Sequence, residues 1–315
     1  MVLPKNFPPR YMNNRMNDGG SDARVLESVS LKDLDPESYG QALARLSDFV
    51  WSLYQREGRS FPWRETDDPY RILLSELMLQ QTQTERVLPK YEQFLSLWPD
   101  FEAMASSSLL EVLSAWKGLG YNRRALALRT IAQKSVAYGW TLPNDYQTLQ
   151  EFPMIGPATA AAVMAFSHHE KSIYLETNIR RVLIHQFHPN EQQVADAQLR
   201  SELAQLLDLQ TDYKHWYYAL MDYGVLLKKQ VVNPNRRSAH YSRQSKFEDS
   251  NRQIRGMLLL VFTEQGPQDF ESLCRQLPFE RERIGSCLSA LEAEGFISLL
   301  PAVSEEPSQR YGIPH

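Results

Sequence analysis

A glutamate lies inside an apolar stretch of the sequence, where a carboxyl group is unusual. Leu73 and Leu74 precede Glu76, and Leu77 and Leu79 follow it. The apolar residues recur at helical spacing, which predicts an amphipathic helix. Desolvation favours the neutral form of a carboxyl and makes it a candidate general acid. The alternative is a helix on which Glu76 faces solvent.

A run of polar residues, Gln80-Gln81-Thr82-Gln83, directly follows this helix. Four polar side chains at a helix end can fill the hole that an extruded nucleotide leaves in a base stack, and they can hydrogen-bond to bases. They can equally form a solvated helix terminus. The sequence of this segment leaves both interpretations open.

A Pro/Gly turn, Phe152-Pro-Met-Ile-Gly-Pro-Ala, predicts a hairpin between two helices, the second starting near Pro157. Gly156 allows close approach of the backbone to a partner. The N–H groups at the start of the second helix can hold a phosphate. A purely structural turn is the alternative. A similar turn, Trp116-Lys-Gly-Leu-Gly-Tyr-Asn-Arg-Arg, lies upstream.

A second carboxylate, Glu176, lies where another helix is predicted to start, within Leu175-Glu-Thr-Asn-Ile-Arg-Arg. Carboxylates are favoured at this position by the helix dipole alone. The position of Glu176 therefore does not by itself indicate catalysis.

The elements around these segments are predicted to be helical almost without interruption. Apolar periodicity predicts helices over 43–54, 72–78, 88–97, 109–115, 123–138, 146–152, 158–167, 176–187 and 195–207. Convincing strands are absent before Arg255. We therefore expect an all-α, two-lobed domain over residues 37–232, with its hairpin near 149–165.

The remaining segments differ in pattern. Residues 1–36 lack periodicity and predict a mobile leader, and residues 233–250 predict a basic linker. Residues 251–315 show three helical segments (254–262, 270–277 and 284–294), then an apolar run at 296–300, a polar turn at 304–308 and a short strand at 311–313. This order predicts a small winged-helix-like α+β module. Glu292 and Glu294 on its third helix leave a DNA-facing and a protein-facing role equally open.

The composition of the chain limits the classes of protein to which it can belong. The chain has 315 residues, of which 43% are hydrophobic and 23% charged, and this suits a globular protein of about two domains. Two cysteines, Cys274 and Cys287, exclude a disulfide framework and any four-cysteine metal or iron–sulfur site. No apolar run is long enough for a membrane span, and no secretory signal is visible. We expect a cytoplasmic protein that is not secreted, nucleoid-associated if bacterial.

The net charge of −4 conceals an asymmetry. Residues 228–255 contain eight basic and two acidic side chains, a net charge of +6, whereas residues 262–315 carry a net charge of −5. This indicates that one surface, and not the whole protein, meets a polyanion. A solvated charged linker is the alternative.

Taken in this order and at these spacings, the segments resemble the helix-hairpin-helix DNA glycosylase superfamily, and most closely the adenine glycosylases of the MutY type that act on A/G mismatches. The resemblance covers about Phe61 to Gly224, and its most specific stretch is Ser75-Glu-Leu-Met-Leu-Gln-Gln-Thr-Gln. Trp63-Arg64, Gly118-Leu-Gly-Tyr and Met221-Asp-Tyr-Gly also match.

The resemblance implies a base-flipping enzyme that cleaves an N-glycosidic bond in DNA. Glu76 matches the acid that protonates the purine, and Glu176 takes the place of the aspartate that stabilises the positively charged sugar. Matching base-pocket and intercalating positions are Trp63, Arg64, Gln80, Gln81, Thr82, Tyr121 and Asn178. Expected contacts to the DNA backbone come from Gly118, Gly120, Ile155, Gly156, Ala158, Thr159, Lys228, Lys229, Arg236 and Arg237.

This sequence departs from the family pattern at four places. Glu176 replaces an aspartate and is longer by one methylene, and Met154 replaces a hairpin glycine and is strained if that position needs positive φ. The family's cluster cysteines are missing after Asp222, so no iron–sulfur cluster is expected, and a basic stretch stands there that can contact phosphates. The family's lesion-reading C-terminal domain has no visible counterpart.

Together these features predict a monofunctional glycosylase that excises a mismatched purine, most simply adenine opposite G or 8-oxoguanine, from double-stranded DNA. Bifunctional relatives carry a lysine where this chain has Ala158, so no lyase activity is expected. Two alternatives stay open. One is a glycosylase for another damaged or mismatched base, and the other is a catalytically weak DNA-binding homologue.

Overall fold

A computed structural model describes residues 25–32, 34–241, 246–300 and 309–314 of the chain. The helices are α1 (Pro36–Glu57), α2 (Pro69–Leu79), α3 (Thr84–Leu97), α4 (Phe101–Ser106), α5 (Leu109–Trp116), α6 (Arg123–Ser135), α7 (Tyr146–Leu149), α8 (Pro157–Ser167), α9 (Thr177–Phe187), α10 (Asp196–Asp208), α11 (Tyr213–Gln230), α12 (Asn251–Gln265), α13 (Phe270–Gln276) and α14 (Arg281–Ala293). Three short strands are β1 (Gln268–Asp269), β2 (Ser298–Leu300) and β3 (Arg310–Gly312). The predicted helical domain with a small α+β module is confirmed.

The chain forms two compact units and passes between them at three places, one of which lies inside α8. The first unit contains residues 1–60 and 164–242, and the second contains residues 61–163 and 243–315. The predicted domain boundaries at 36, 232 and 250 stay predictions. Most of the predicted leader and the polar turn at 304–308 lie outside the described residues.

The first unit is built around α11, which packs against α9 and α1. Trp51 of α1 and Trp216 of α11 are buried against each other, with ring centroids 5.8 Å apart. Ile179 and Val182 of α9 are fully buried. Burial of such large apolar side chains is the main stabilising contribution to this unit.

The second unit holds α2 to α7 and the C-terminal module. Asp68 caps α2 by accepting hydrogen bonds from the N–H groups of Tyr70 and Arg71, and Pro69 fills the first helical position. The helices α4 and α5 pack on α6, and Leu73, Trp116 and neighbouring apolar side chains close the core. The start of α2 is therefore fixed by capping, and its body is fixed by burial.

The C-terminal module contains α12, α13 and α14 and a three-stranded antiparallel sheet in the order β1-β3-β2. Tyr311 of β3 lies opposite Leu299 of β2 and Gln268 of β1. The sequence predicts only a two-stranded ribbon. β1 was missed because two residues show no alternation of polar and apolar side chains.

Other differences from the predicted helices are local. α7 ends at Leu149, whereas the pattern predicts a helix to Phe152. Pro153 disfavours helical dihedral angles in the residue before it, which helps to end the helix early. The helices α4 and α11 are not among those that the pattern delimits. α4 has six residues, and α11 presents aromatic side chains on several faces, which weakens a periodic signal.

A shared carboxylate connects the module to the rest of the second unit. Glu294, at the end of α14, accepts hydrogen bonds from Arg123 of α6 and from Arg255 of α12, the closest at 2.6 Å from each. The hydrogen bond from Arg123 and the second guanidinium lower the pKa of Glu294 to about 2.

Among the described residues, no helix combines the length and the apolarity needed to cross a membrane.

We expect this carboxylate to make folding stability depend on pH. Its folded pKa is depressed, so its stabilisation is complete above the ordinary glutamate pKa and is lost as the pH falls from about 5 towards 2. Glu294→Gln should cost about 2 kcal/mol at pH 7, since the exposed side of Arg123 is screened by solvent. Urea unfolding at several pH values measures this difference, with Glu292→Gln as the neighbouring exposed control. An equal cost of Glu294→Gln at pH 7 and pH 3 would contradict the assignment.

Candidate functional site

The carboxyl of Glu76 is carried by the last turn of α2. Leu73 and Leu77 on the same helix are fully buried, whereas Glu76 itself is half-buried. The N–H of Gln80 donates to the carbonyl of Glu76 over 3.3 Å, so the polar run begins one turn after the carboxyl. The structure thus places the candidate acid next to the segment predicted to enter DNA. Its role as an acid stays a prediction.

The loop of residues Gln80–Thr82 follows directly. Gln80 donates through Nε2 to the Oγ1 of Thr159 at the start of α8, over 3.3 Å. Gln81 is exposed and has a φ of 56°. A non-glycine residue at positive φ is uncommon, because its Cβ crowds the backbone. The conformation of this loop therefore has to be held by its surroundings.

Arg124 of α6 holds the loop of residues Gln80–Thr82 in place. Its side chain is 1% exposed and donates to carbonyl oxygens at the end of α2, from Nη1 to Leu77 over 2.8 Å and to Gln80 over 2.6 Å. Nη2 donates to the carbonyls of Leu119 and Gly120 over 3.1 and 2.8 Å. Burial lowers the pKa of Arg124 to about 10, so the group is still charged at neutral pH.

The second loop tied to Arg124 is Gly118–Tyr121. Its residues Gly118, Gly120 and Tyr121 all have positive φ, of 97°, 71° and 49°. The two glycines adopt this region at little steric cost, whereas Tyr121 does not. Its aromatic side chain is nevertheless 39% exposed. The sequence-predicted intercalating residues Gln81 and Tyr121 are therefore both presented on strained backbone around one buried guanidinium.

The hairpin of residues 151–156 leads into α8, as predicted. Met154 is exposed and has a φ of 62°, so this position does need the left-handed conformation that favours glycine. Ile155 is buried, Gly156 and Ala158 are exposed, and Thr159 is buried with its hydroxyl bonded to Gln80. Contacts of these residues with a DNA backbone stay predictions.

Trp63 and Arg64 lie in a short 3₁₀ turn and are both buried. Trp63 stacks on Phe61 with ring centroids 5.0 Å apart, and its edge meets Tyr91 at 5.2 Å. The guanidinium of Arg64 lies over the Phe61 ring. Packing accounts for both residues here, and their role in a base pocket stays a prediction.

In the first unit, Glu176 caps the N-terminus of α9. Its carboxylate accepts hydrogen bonds from the N–H groups of Asn178 and Ile179 over 2.7 and 3.0 Å, and from the Asn178 side chain over 3.3 Å. Burial raises the pKa of Glu176, and these donors together with the nearby Arg181 oppose the rise. The capping interpretation of the sequence is confirmed, and the carboxylate is also part of a larger network.

That network continues from Asn178 to α11. Arg181 donates through Nη1 to the side-chain oxygen of Asn178 over 2.6 Å and to the carbonyl of Gly224 over 2.8 Å. A Cβ added at Gly224 would lie 2.4 Å from the carbonyl oxygen of Asn178. Only glycine therefore lets α11 approach the segment that carries Glu176.

The segment after α11 forms a 3₁₀ turn, Pro234–Arg237, that binds to α9. Asn235 donates to the carbonyl of Thr177 over 3.0 Å, and Arg237 donates to the carbonyls of Ile184 and His188. Lys228, Lys229 and Arg236 are exposed. Their phosphate contacts, and those of Arg237, stay predictions.

The donor set here does not fit the iron–sulfur cluster of related glycosylases. Both cysteines of the chain, Cys274 and Cys287, lie on α13 and α14 of the C-terminal module. The turn after α11 is instead held by hydrogen bonds to carbonyls of α9. The part of the chain that the structure describes contains no group of three or more histidine, cysteine or acidic side chains suited to a metal ion.

Sequence reasoning missed the buried arginines. Arg124 and Arg181 look like ordinary helix-surface residues in the sequence, and no local pattern indicates which main-chain carbonyls they reach. A usable signal was present in α12, where Arg252, Arg255 and Leu259 recur at three- and four-residue spacing and so share one face. That face lines a cavity in the second unit.

We expect Arg124 to be the most sensitive arginine of the second unit. Arg124→Met leaves several buried carbonyls without a donor and should lower the free energy of unfolding by about 3 kcal/mol or more. The neighbouring exposed Arg123→Met should cost about 1 kcal/mol, as a surface ion pair does. Urea unfolding of both variants measures the contrast. Equal costs would show that the carbonyl contacts contribute little.

Gly224→Ala should disturb the surroundings of Glu176. Its Cβ overlaps the main chain at Asn178, so overpacking should cost about 1–3 kcal/mol in unfolding experiments. Gly40→Ala in α1 is the matched control, because a Cβ there meets nothing within 4 Å and alanine favours a helix. A Gly224→Ala variant as stable as Gly40→Ala would contradict the close packing.

Known proteins match part of this chain in sequence. Residues 74–208 match the model of the HhH-GPD superfamily of base excision DNA repair proteins. An adenine DNA glycosylase of Buchnera aphidicola is 32% identical over 183 residues, which are 56% of this chain and 51% of that protein. One from Mycobacterium tuberculosis is 39% identical over 137 residues, 43% of this chain and 45% of that protein. The chain thus spans about half the length of the curated relatives it matches.

A solved structure shares this fold. A structure of a thermostable thymine-DNA glycosylase superposes with a TM-score of 0.53 at 23% identity, covering 60% of this chain and 88% of that one. Helix order, hairpin and sequence match therefore agree. Over residues 74–208 the chain is similar to the HhH-GPD superfamily of base excision DNA repair proteins.

Proposed function

We propose that this protein is a monofunctional DNA glycosylase that flips a mismatched purine out of double-stranded DNA and hydrolyses its glycosidic bond. Adenine opposite G or 8-oxoguanine is the proposed substrate, in line with the names of the relatives. The observation that carries the proposal is the arrangement on α2. A half-buried carboxyl, Glu76, lies on α2 five residues before the exposed Gln81. Gln81 belongs to the loop that Arg124 holds in a strained conformation.

The proposed chemistry uses both carboxyl groups. Glu76, as the neutral acid, donates its proton to a ring nitrogen of the purine, and the bond between that base and C1′ of the sugar breaks. The carboxylate of Glu176 stabilises the positive charge that develops on the sugar. Water then adds to C1′, and its proton leaves, so that the products are the free base and an abasic site.

Glu176 is suited to this role in two respects. Its oxygens are fixed by the N–H groups of Asn178 and Ile179, so the negative charge has a defined position. Arg181 bonds to Asn178, and its positive charge favours the ionised form of Glu176. The extra methylene relative to aspartate is compatible with this capping geometry.

A lyase step is not part of the proposal. In bifunctional relatives an amine attacks C1′ and forms a Schiff base. The position matching that lysine is Ala158, an exposed residue in the first turn of α8. The product should therefore be an intact abasic strand.

We further propose that the protein acts without an iron–sulfur cluster and in the cytoplasm, on the nucleoid if the source is bacterial.

Substitution of the two carboxyl groups tests the roles. Glu76→Gln should lower the single-turnover rate of adenine excision by about 10²–10⁴, the range for loss of a general acid. Glu176→Gln should lower it by about 10²–10³, because the charge under the sugar is lost. Rapid-quench measurement on an A/8-oxoguanine duplex, developed with alkali, gives both rates.

Glu102→Gln on α4 is the control, since this glutamate is exposed and its helix is not part of the site. Binding of the duplex should be retained in all three variants. Undiminished excision by Glu76→Gln, with normal DNA binding, would rule out Glu76 as the acid. Strand cleavage without alkali by the unsubstituted protein would overturn the monofunctional assignment.

A further inference from the structure

The C-terminal module places acidic side chains beside the loop of residues Gly118–Tyr121. Lys117 directly precedes this loop, and its ammonium forms an ion pair with Glu264 near the end of α12. Arg123 follows the loop by two positions and donates to both carboxylate oxygens of Glu294, over 2.7 and 2.6 Å. Cations on both sides of the loop are therefore bound by carboxylates of the module.

Tyr121, within the same loop, also contacts the module. Arg252 of α12 donates through Nη1 to the Tyr121 hydroxyl over 3.2 Å. A cavity of about 560 Å³ lies between α12 and the loop, and both of these residues line it. The module thus engages a side chain that is predicted to intercalate, but it does not pack closely against the loop that carries this side chain.

The two ion pairs are of a kind that DNA can displace. The side chains of Lys117 and Glu264 are 58% and 50% exposed, and that of Arg123 is 62% exposed. Ion pairs between exposed groups contribute little to stability and are screened by salt. DNA phosphates attract the same cations, and each phosphate that is neutralised releases a counterion. The carboxylates of Glu264 and Glu294 therefore compete with phosphates for Lys117 and Arg123.

The charge of the module acts in the same direction. Residues 262–315 carry a net charge of −5, and part of this charge lies beside a loop that is expected to contact the DNA backbone. A carboxylate in this position repels phosphates whatever the base sequence, because phosphate contacts carry no sequence information. The module should consequently weaken binding to any duplex, undamaged DNA included.

We propose that the C-terminal module is an autoinhibitory element, in which Glu264 and Glu294 occupy the cations that flank the Gly118–Tyr121 loop and so weaken binding to undamaged double-stranded DNA. In the DNA-bound protein, phosphates take the place of these carboxylates. Undamaged sites compete with a rare mismatch for the protein, so weaker non-specific binding leaves more protein for the mismatch. The proposal rests on the proposed function only in that the protein binds duplex DNA, and it does not require excision.

Glu264→Gln is the variant that tests the contact. It removes the charge of an exposed ion pair and keeps the shape of the side chain, so stability should be nearly unchanged. Glu292→Gln is the matched control, because Glu292 is an exposed glutamate of the same module and its loss changes the net charge equally. Glu294→Gln is less suitable, because Glu294 also binds Arg255 and so helps to hold the module together.

The experiment measures the affinity of the full chain for an undamaged, fluorescently labelled duplex by anisotropy at several KCl concentrations. We expect Glu264→Gln to bind about threefold more tightly at low salt, and the slope of log K against log[KCl] to steepen by about one, as one additional phosphate contact requires. Glu292→Gln should match the unsubstituted protein. In a Lys117→Gln background, Glu264→Gln should give no gain, because the cation that it would release is missing.

Three results would overturn the proposal. The first is equal affinity and slope for Glu264→Gln and the unsubstituted protein. The second is an equal gain in Glu292→Gln, which would show an effect of net charge alone, and the third is a gain that persists without Lys117. Excision is measured separately on mismatched duplexes. A gain in Glu264→Gln without any excision supports the autoinhibitory contact and contradicts the proposed function, whereas excision without a gain does the reverse.

Discussion

The buried guanidinium of Arg124 is the interaction that fixes the two loops proposed to enter DNA. It donates to main-chain carbonyls from both the end of α2 and the Gly118–Tyr121 loop. The last carbonyls of a helix have no partner within the helix and must find one elsewhere. One side chain meets this requirement for α2 and, by the same contacts, fixes the position of two loops.

This arrangement explains how strained residues persist on an exposed surface. Gln81 and Tyr121 have positive φ, which costs about 1–3 kcal/mol for each residue. Hydrogen bonds from a charged donor to buried carbonyls are worth more than neutral ones and can offset such a cost. The loops are thus held in place before any ligand binds. A preorganised loop loses less conformational entropy when it binds a ligand.

A different set of contacts holds the second carboxylate. Glu176 caps α9, Asn178 bonds to Arg181, and Gly224 packs closely against the main chain at Asn178. The 3₁₀ turn with Asn235 supports the same helix from outside. Hydrogen bonds to carbonyls of α9 hold the turn that follows α11.

Much of this organisation could be predicted from the sequence, since it depends on local signals. Apolar spacing around Glu76 predicts α2, Pro and Gly predict the hairpin before α8, and motif order indicates the superfamily. The strain at Met154 follows from a methionine at a glycine position and is seen in its φ of 62°.

The rest could not be predicted, because it depends on contacts between residues far apart in the sequence. Arg124 reaches the carbonyl of Leu77 across 47 positions, and Arg252 reaches Tyr121 across 131. The sharing of Glu294 by two arginines likewise appears only when α6, α12 and α14 are packed. The sequence shows these as charged helix residues whose partners cannot be identified.

The activity that we propose for this protein is excision of adenine from a mismatch, which leaves an abasic site. Single-turnover excision should be measured on four duplexes, with A opposite 8-oxoguanine, A opposite G, T opposite G, and hypoxanthine opposite T, each developed with and without alkali. We predict an alkali-dependent nick on the two adenine mismatches only. A nick confined to the thymine or hypoxanthine duplex, or none on any of them despite normal DNA binding, would contradict the claim.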